Sequence, residues 1–487
     1  MMAEPQDADY RPDPAILSLA EWLGAPVAPG DWPKTEIRYR NDKAAAQIGL
    51  ADLTDAEWAA HFGRFTPLHG NMPGPLALKY HGHQFRNYNP DIGDGRGFLF
   101  AQMRDCDNRL LDLGTKGTGQ TPFSRSGDGR LTLKGAVREI LATEFLEALG
   151  CNTSKTLSVV ETGEDLWRSD EPSPTRSAVM VRLSHGHIRI GTFQRLLALD
   201  ERGHMEQLVD YCLANFPGPP PPQGAVGADQ PAVRLMHQVV ERMADLAASY
   251  MVAGFVHGVL NTDNMNISGE SFDYGPWRWL PTWDQSFTAA YFDHNGLYAF
   301  GRQPEAIHWN CGQLAVALRL LCDAKPLIGA LERFGPLYMQ AISRRWCWRL
   351  GVRPRGEDED GRLVAACEQA MRVSKVQPDQ FFYQFRGGRG AEGALADAFA
   401  AYTPVDARAS SVASSVASSV ANSPASSGHP YWDEGTPQSM LIEEVETIWS
   451  AIDERDDWTP LLDKVTALRR VGEAHGSPIN CTDRDEI

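Results

Sequence analysis

No run of 18 or more apolar residues occurs in this sequence. A helix needs about 20 such residues to cross a bilayer, so no transmembrane helix and no membrane partner are expected. Basic residues are in deficit: 46 Lys and Arg stand against 63 Asp and Glu, a formal net charge of −17. A surface of that sign repels phosphate backbones at long range and lacks the basic footprint of a nucleic-acid binder. Cysteine is sparse and scattered. Cys106, Cys151, Cys212, Cys311, Cys322, Cys347, Cys367 and Cys481 form no C-x-x-C pair. Structural zinc sites usually pair their ligands locally, and disulfide scaffolds belong to short secreted chains, so neither is expected. Reduced thiols in an intracellular protein are. The first residues, MMAEPQDADYRPDP, have neither the basic start and apolar run of a secretory signal nor the Arg-rich, acid-poor character of a mitochondrial transit peptide.

What is present suits a large folded protein. Hydrophobic residues make up 43% of 487 and charged residues 22%, enough for two or three domains or one large two-lobed enzyme at roughly 100–200 residues per domain. Residues 1–75 read as a polar leader with short helical pieces. Strand-like runs follow at 97–102, 109–113, 156–162, 178–183 and 188–192, divided by Gly, Asn, Asp and Pro. Between them lies a helix over 132–149, with Leu133, Val137, Leu141 and Phe145 at a four-residue spacing and Gly150 as its stop. Pro217 to Gln223 reads as a solvated loop. An amphipathic helix is expected over 233–252, mostly helical sequence over 312–350, and one more helix over 440–452. The repeat ASSVASSVASSVANSPASSG, 409–428, cannot bury enough surface to offset its ordering entropy and reads as a disordered linker. Strands gather in the first half and helices in the second, an α+β chain of two lobes with a cleft suited to a ligand.

Four chemical elements stand in one order. Gly93-Asp94-Gly95-Arg96-Gly97 can bring backbone N–H groups close to phosphate oxygens, or be an ordinary turn. Lys116, between glycines at a strand end, can set its ammonium on phosphates, or be a surface lysine; Ser126-Gly127-Asp128-Gly129-Arg130 follows it as a second candidate turn. Glu139 lies off the apolar stripe of its helix, so it need not be buried; it could aim Lys116 or simply be solvated. The fourth is HGVLNTDNMNI, 257–267, followed by Asp273-Tyr274-Gly275. Against the protein-kinase pattern H-R-D-L-x-x-x-N and D-F-G, His257, Leu260 and Asn264 align, and Asp273 takes the D-F-G aspartate. Val259 stands where a kinase keeps its catalytic aspartate, while Asp263 lies beside Asn264. Asp263, Asn264 and Asp273 make a hard-oxygen set suited to Mg²⁺ or Mn²⁺. His81, His83, His185 and His187 do not suit such an ion and are read as structural. The residues thus reach an ATP–metal site without saying which phosphate is attacked.

The runs HGHQF, IGDGRG, LGTKGTGQTPFSRSGDGR, VREILATEFLEALG, VRLSHGHIRIGTF and HGVLNTDNMNI closely resemble the selenoprotein O family of protein adenylyltransferases, over about residues 50–350. The resemblance implies a protein-kinase-like fold, strand-rich N-lobe and mainly helical C-lobe, that binds ATP flipped and moves AMP to Ser, Thr or Tyr hydroxyls of proteins. It implies nucleotide contacts from Gly93, Gly95, Arg96, Lys116, Asp128, Gly129, Arg182, Arg189 and Asp273. Glu139 would pair with Lys116, Asp263 would accept the proton, and Asn264 and Asp273 would hold Mg²⁺ or Mn²⁺. The implied division is 1–75 leader and extension, 76–200 N-lobe, 201–400 C-lobe, 401–430 disordered linker and 431–487 C-terminal helix and tail. The sequence departs from the family in RNYNPDI before Gly93, less rich in glycine, in its low-complexity run, and in a C-terminus where Cys481 is followed by TDRDEI. UMP transfer, an ordinary kinase with a displaced base, and a non-catalytic nucleotide-binding scaffold are the alternatives. The family occurs in bacterial cytoplasm and in mitochondria, so both compartments stay open.

Overall fold

A computed structural model describes residues 9–169, 171–405 and 428–476. Most of the expected disordered linker, 406–427, and Cys481 lie outside the described residues. Among the described residues eleven strands precede residue 185: β1 (Arg11–Pro12), β2 (Gly24–Pro26), β3 (Glu36–Arg40), β4 (Leu76–Leu78), β5 (Gly82–Gln84), β6 (Asn87–Asn89), β7 (Leu99–Arg104), β8 (Leu110–Lys116), β9 (Leu131–Thr132), β10 (Lys155–Leu166) and β11 (Thr175–Ser184). Nine of them form one antiparallel sheet with the path β2-β4-β7-β8-β11-β10-β3, β1 pairing with β7 and β9 with β11. β5 and β6 form a separate hairpin. Residues 1–75, expected to hold only short helical pieces, therefore also supply β1, β2 and β3 to the sheet. Their pairings join residues far apart in sequence, such as Tyr39 with Val159, which local pattern cannot reveal.

The helix α1 (Leu133–Ala148) starts where the Thr132 hydroxyl accepts a hydrogen bond from the Gly135 N–H, 3.1 Å, capping one of the free donors of the first turn. It packs on β10 and β11. The expected stripe of Leu133, Val137, Leu141 and Phe145 is fully buried, but so are Glu139 and Glu144 on other faces. The run 188–192 is corrected from strand to helix: Arg189 is extended and α2 (Ile190–Ala198) begins after it. Gly191 is the reason. A Cβ there would lie 2.1 Å from the His81 carbonyl oxygen, and its own carbonyl accepts from the His81 N–H at 3.1 Å, so α2 starts against the hairpin.

Beyond residue 200 the described chain is mainly helical. The long helix α3 (Pro231–Ala253) opens on proline and ends at Gly254, whose φ of 65° gives the left-handed cap. α4 (Gln303–Leu318) and α5 (Phe334–Leu350) pack against it, so it is buried nearly all round. Two C-terminal helices, α6 (Ile442–Arg455) and α7 (Thr459–His475), return to cover α1. The result is a mixed α/β fold in which strands and helices are segregated along the chain.

Candidate active site

One cavity of about 720 Å³ lies where the sheet, the hairpin and the 257–275 segment meet. That is the size of a small-ligand site. Gly93, Gly95 and Arg96 line it, as do Lys116, Asp128 and Gly129, then Arg182 and Arg189, and finally Asp263, Asn264 and Asp273. These are the residues singled out from sequence, apart from Glu139, which stands one layer behind.

The glycines stand where other groups pass too close for a side chain. A Cβ on Gly93 would lie 2.6 Å from the Phe123 ring, and one on Gly95 would lie 2.9 Å from the Phe123 carbonyl oxygen. Gly129, at φ +69°, would bring a Cβ 2.1 Å from the Gly119 carbonyl oxygen. Asp128 accepts from both ends of the Arg168 guanidinium, 2.8 and 3.2 Å, and from the Arg130 N–H at 2.9 Å.

Lys116 is the last residue of β8 and is only 5% exposed, not the surface lysine it could have been. Its Nζ meets Glu139 Oε2 at 2.6 Å. Glu139 is 1% exposed, which corrects the expectation that it need not be buried. Its face of α1 turns to the sheet, where Lys116 ends β8 and Arg182 Nη1 of β11 lies 3.8 Å from Glu139 Oε1. Burial lowers the Lys116 pKa, and the Glu139 carboxylate partly restores it.

Asp273 is held from two sides. Arg182 Nη1 donates to Oδ1 at 2.5 Å, and Arg189 Nη1 donates to Oδ2. Burial alone would raise the Asp273 carboxyl, but Arg182, Arg189 and Lys116 outweigh it and keep it well below the usual carboxylate range. Arg189 also donates to the Asp263 carbonyl oxygen at 2.7 Å and to Asp94 Oδ1 at 3.3 Å, and both guanidiniums lie over the Phe272 ring.

The 257–264 loop is fixed by the groups around it. His257 Nε2 lies 3.1 Å from the Phe272 carbonyl oxygen, which ties the loop to the residue before Asp273. Asn261 Oδ1 accepts from the Phe85 N–H at 2.9 Å, and Thr262 Oγ1 accepts from the His83 N–H at 2.7 Å. Asp263 and Asn264 then point into the cavity. Asp263 Oδ1 and Asn264 Oδ1 are buried and accept no hydrogen bond among the described residues. Buried acceptors without a donor are costly unless a cation or ligand meets them. Hard oxygens of this kind fit Mg²⁺ or Mn²⁺. Among the described residues no three His, Cys, Asp or Glu side chains converge on a metal position. Burial pushes the Asp263 carboxyl up to about 6, with Arg189 pulling the other way.

Three contributors were not chosen as site residues from sequence, His187 among them having been read as structural. Asp94 braces Arg189 and accepts from the Leu78 N–H at 3.0 Å; its position between Gly93 and Gly95 was the available signal. His187 links Asp112 to Arg182: Asp112 Oδ2 lies 3.1 Å from Nδ1, and Arg182 Nε donates to Nε2 at 3.2 Å. Space for that ring comes from Gly114 on β8, where a Cβ would lie 2.2 Å from His187 Nε2. Phe123, which walls the glycine-rich loop, carried no signal.

The chain matches the family model described as Protein adenylyltransferase SelO over residues 7–469. It is 40% identical over 470 residues to Protein nucleotidyltransferase YdiU of Synechocystis sp., covering 94% of this chain and 97% of the relative. The protein of the same name from Synechococcus elongatus is 48% identical over 367 residues, 75% of this chain and 72% of the relative. That of Trichodesmium erythraeum is 40% identical over 461 residues, 93% of this chain and 96% of the relative.

Proposed function

The chain belongs to the protein adenylyltransferase SelO family, and from that premise we propose that this nucleotidyltransferase moves AMP from ATP to Ser, Thr or Tyr hydroxyls of proteins. In this reading the sheet-rich first half and the helical second half are the N- and C-lobes of a protein-kinase-like fold. One observation carries it: Arg96, Lys116, Arg182 and Arg189 face Asp263 and Asn264 across a single cavity. A triphosphate needs the cations, and a hydroxyl needs a base.

The hydroxyl oxygen attacks the α-phosphorus. The bond from that phosphorus to the oxygen bridging to the β-phosphate breaks, and pyrophosphate leaves. Asp263 accepts the hydroxyl proton, a role its raised carboxyl suits near neutral pH. Lys116, aimed by Glu139, and the two buried arginines neutralise the departing pyrophosphate. Gly93, Gly95 and Arg96 contact the nucleotide, and Asp128 with Gly129 its far end. Asn264 and Asp273 would hold Mg²⁺ or Mn²⁺, which when bound supplies further charge neutralisation on the phosphates. Asp273 keeps capacity for this, since a carboxylate has about four acceptor positions and the two arginines fill two. Most of the rate gain then comes from positioning rather than from covalent work by the protein.

The test uses ATP labelled at the α- or the γ-phosphate, with Mg²⁺ or Mn²⁺, beside Asp263→Asn. Label is expected on protein from α-labelled ATP alone, slowed about 10²–10⁴-fold in the variant. Label from γ-labelled ATP alone would establish an ordinary kinase instead. ATP binding with label from neither would leave a nucleotide-binding scaffold.

A further inference from the structure

We propose that a second cavity, adjoining the first, is the acceptor subsite and takes an acidic polypeptide segment around the hydroxyl that is modified. This rests on the reading of the first cavity as a protein nucleotidyltransferase site, and adds to it the substrate's chemical class.

The second cavity encloses about 420 Å³ and shares Tyr80, Ile92, Phe123 and Arg125 with the first. Ile92 is a wall of both cavities and stands close to the proposed base. A Cβ built on Gly82 would lie 3.0 Å from Ile92 Cδ1 and 2.9 Å from Asp263 Oδ1, so both groups crowd the same point of the hairpin. A hydroxyl presented to Asp263 from this side brings its flanking residues into the second cavity.

The charge of that cavity runs against the rest of the molecule. In a chain of net charge −17, its lining carries Lys79, Arg125 and Arg195 against the single carboxylate Asp91. Among the described residues none of the three cationic side chains has a hydrogen-bond or ion-pair partner. Lys79 and Arg195 are half-buried, so both have lost water without gaining a counter-ion. Their positions are fixed by backbone. Lys79 N–H donates to Leu23 at 2.8 Å, and Arg195 lies on α2, whose start is locked to the hairpin through His81 and Gly191. Beside them His81 Nδ1 lies 2.6 Å from the Tyr88 hydroxyl. Pro90 and Pro122 complete the lining with rigid apolar surface. Glu or Asp side chains on either side of an acceptor Ser, Thr or Tyr would give each cation a charge-assisted partner, and the prolines would seat the intervening backbone.

The experiment measures binding, so it stands apart from whether AMP is transferred. The full chain is titrated into three fluorescein-labelled nonapeptides with one central serine, flanked by glutamates, glutamines or lysines, and anisotropy is read. The glutamate peptide is expected to bind at least about tenfold more tightly than either other, because complementary charge favours it and like charge repels the lysine peptide. The double variant Lys79→Glu, Arg195→Glu is expected to lose that preference or reverse it. Its ATP affinity should be unchanged, because neither residue lines the nucleotide cavity. A second measurement needs no variant: binding of the glutamate peptide to the unaltered chain should weaken severalfold as NaCl rises from about 50 to 200 mM, since the pairs are screened. Equal binding of the glutamate and lysine peptides, a preference retained by the double variant, or no salt dependence would each overturn the proposal. So would an oligothymidylate of equal charge that binds as tightly as the glutamate peptide, since the site would then read charge alone.

Discussion

Glu270 stands three residues before Asp273, buried, with one carboxylate oxygen accepting the His185 N–H at 2.9 Å. Burial pushes this carboxyl up to about 7, with Lys155 and the hydrogen bond opposing. A carboxyl raised on folding contributes stability that is present below about 4.5, its ordinary value, and is lost as pH rises through about 7. Glu270→Gln keeps an acceptor for the His185 N–H and removes the titration. Glu270→Gln should therefore lack the loss that this carboxyl adds to the unaltered chain between about pH 4.5 and 7, up to about 1.4 kcal/mol of stability per pH unit. His185 gives the opposite limb. Burial lowers its pKa to about 4, so its contribution is present above the ordinary histidine range and lost as pH falls through about 4. The two limbs overlap with opposite sign between about pH 4.5 and the ordinary histidine range, so stability there should rise with pH more steeply in Glu270→Gln than in the unaltered chain, which thermal melts across pH in both proteins check.

The last two helices reach the active site without touching its cavity. Arg469 on α7 donates to both oxygens of Glu144 on α1, at 2.6 and 2.9 Å, and to Asn41 Oδ1 at 3.0 Å. The Tyr39 hydroxyl donates to the same carboxylate at 2.8 Å. α7 also lies close on α1, since a Cβ on Gly472 would be 3.3 Å from Ala148 Cα. Glu144 and Glu139 share α1, so this network sets the height of the helix that aims Lys116. Arg469→Met leaves a carboxylate that is 5% exposed without its cation. It should cost about 1–3 kcal/mol in urea melts. Combined with Glu144→Gln the two losses should not add, with a coupling of about 0.5–3 kcal/mol. Additive losses would show that α7 packs on α1 without holding it.

At the scale of the whole molecule, a nucleotide in the larger cavity would touch the sheet, the glycine-rich loop and the 257–275 segment together. Binding to the folded state alone should therefore stabilise the entire chain, by about 2.7 kcal/mol at ligand a hundredfold above Kd. Arg96 separates ligand binding from folding, because it is exposed at the cavity wall. Arg96→Ala should melt like the unaltered chain without ligand and gain less from ATP with Mg²⁺. Equal gains in the two proteins would remove Arg96 from the nucleotide site.

The sequence by itself determined which residues are the candidates for the chemistry. Glycine alternation, a lysine at a strand end and the Asp263-Asn264 and Asp273 spacing are local features, and local chemistry is written in consecutive residues. It also determined most of the elements that periodicity controls, such as α1 and α3. Tertiary structure alone decided what those residues do to one another. Glu139 is buried because its face of α1 meets Lys116 of β8 and Arg182 of β11, and α2 starts after Arg189 with Gly191 against His81. Asp273 is clamped because β11 and the start of α2 deliver an arginine to each of its oxygens. Lys79 and Arg195 face one cavity although 116 positions separate them in the sequence. Burial, charge pairing and backbone approach depend on distance in space, and contacts between remote segments leave no periodic mark on either one.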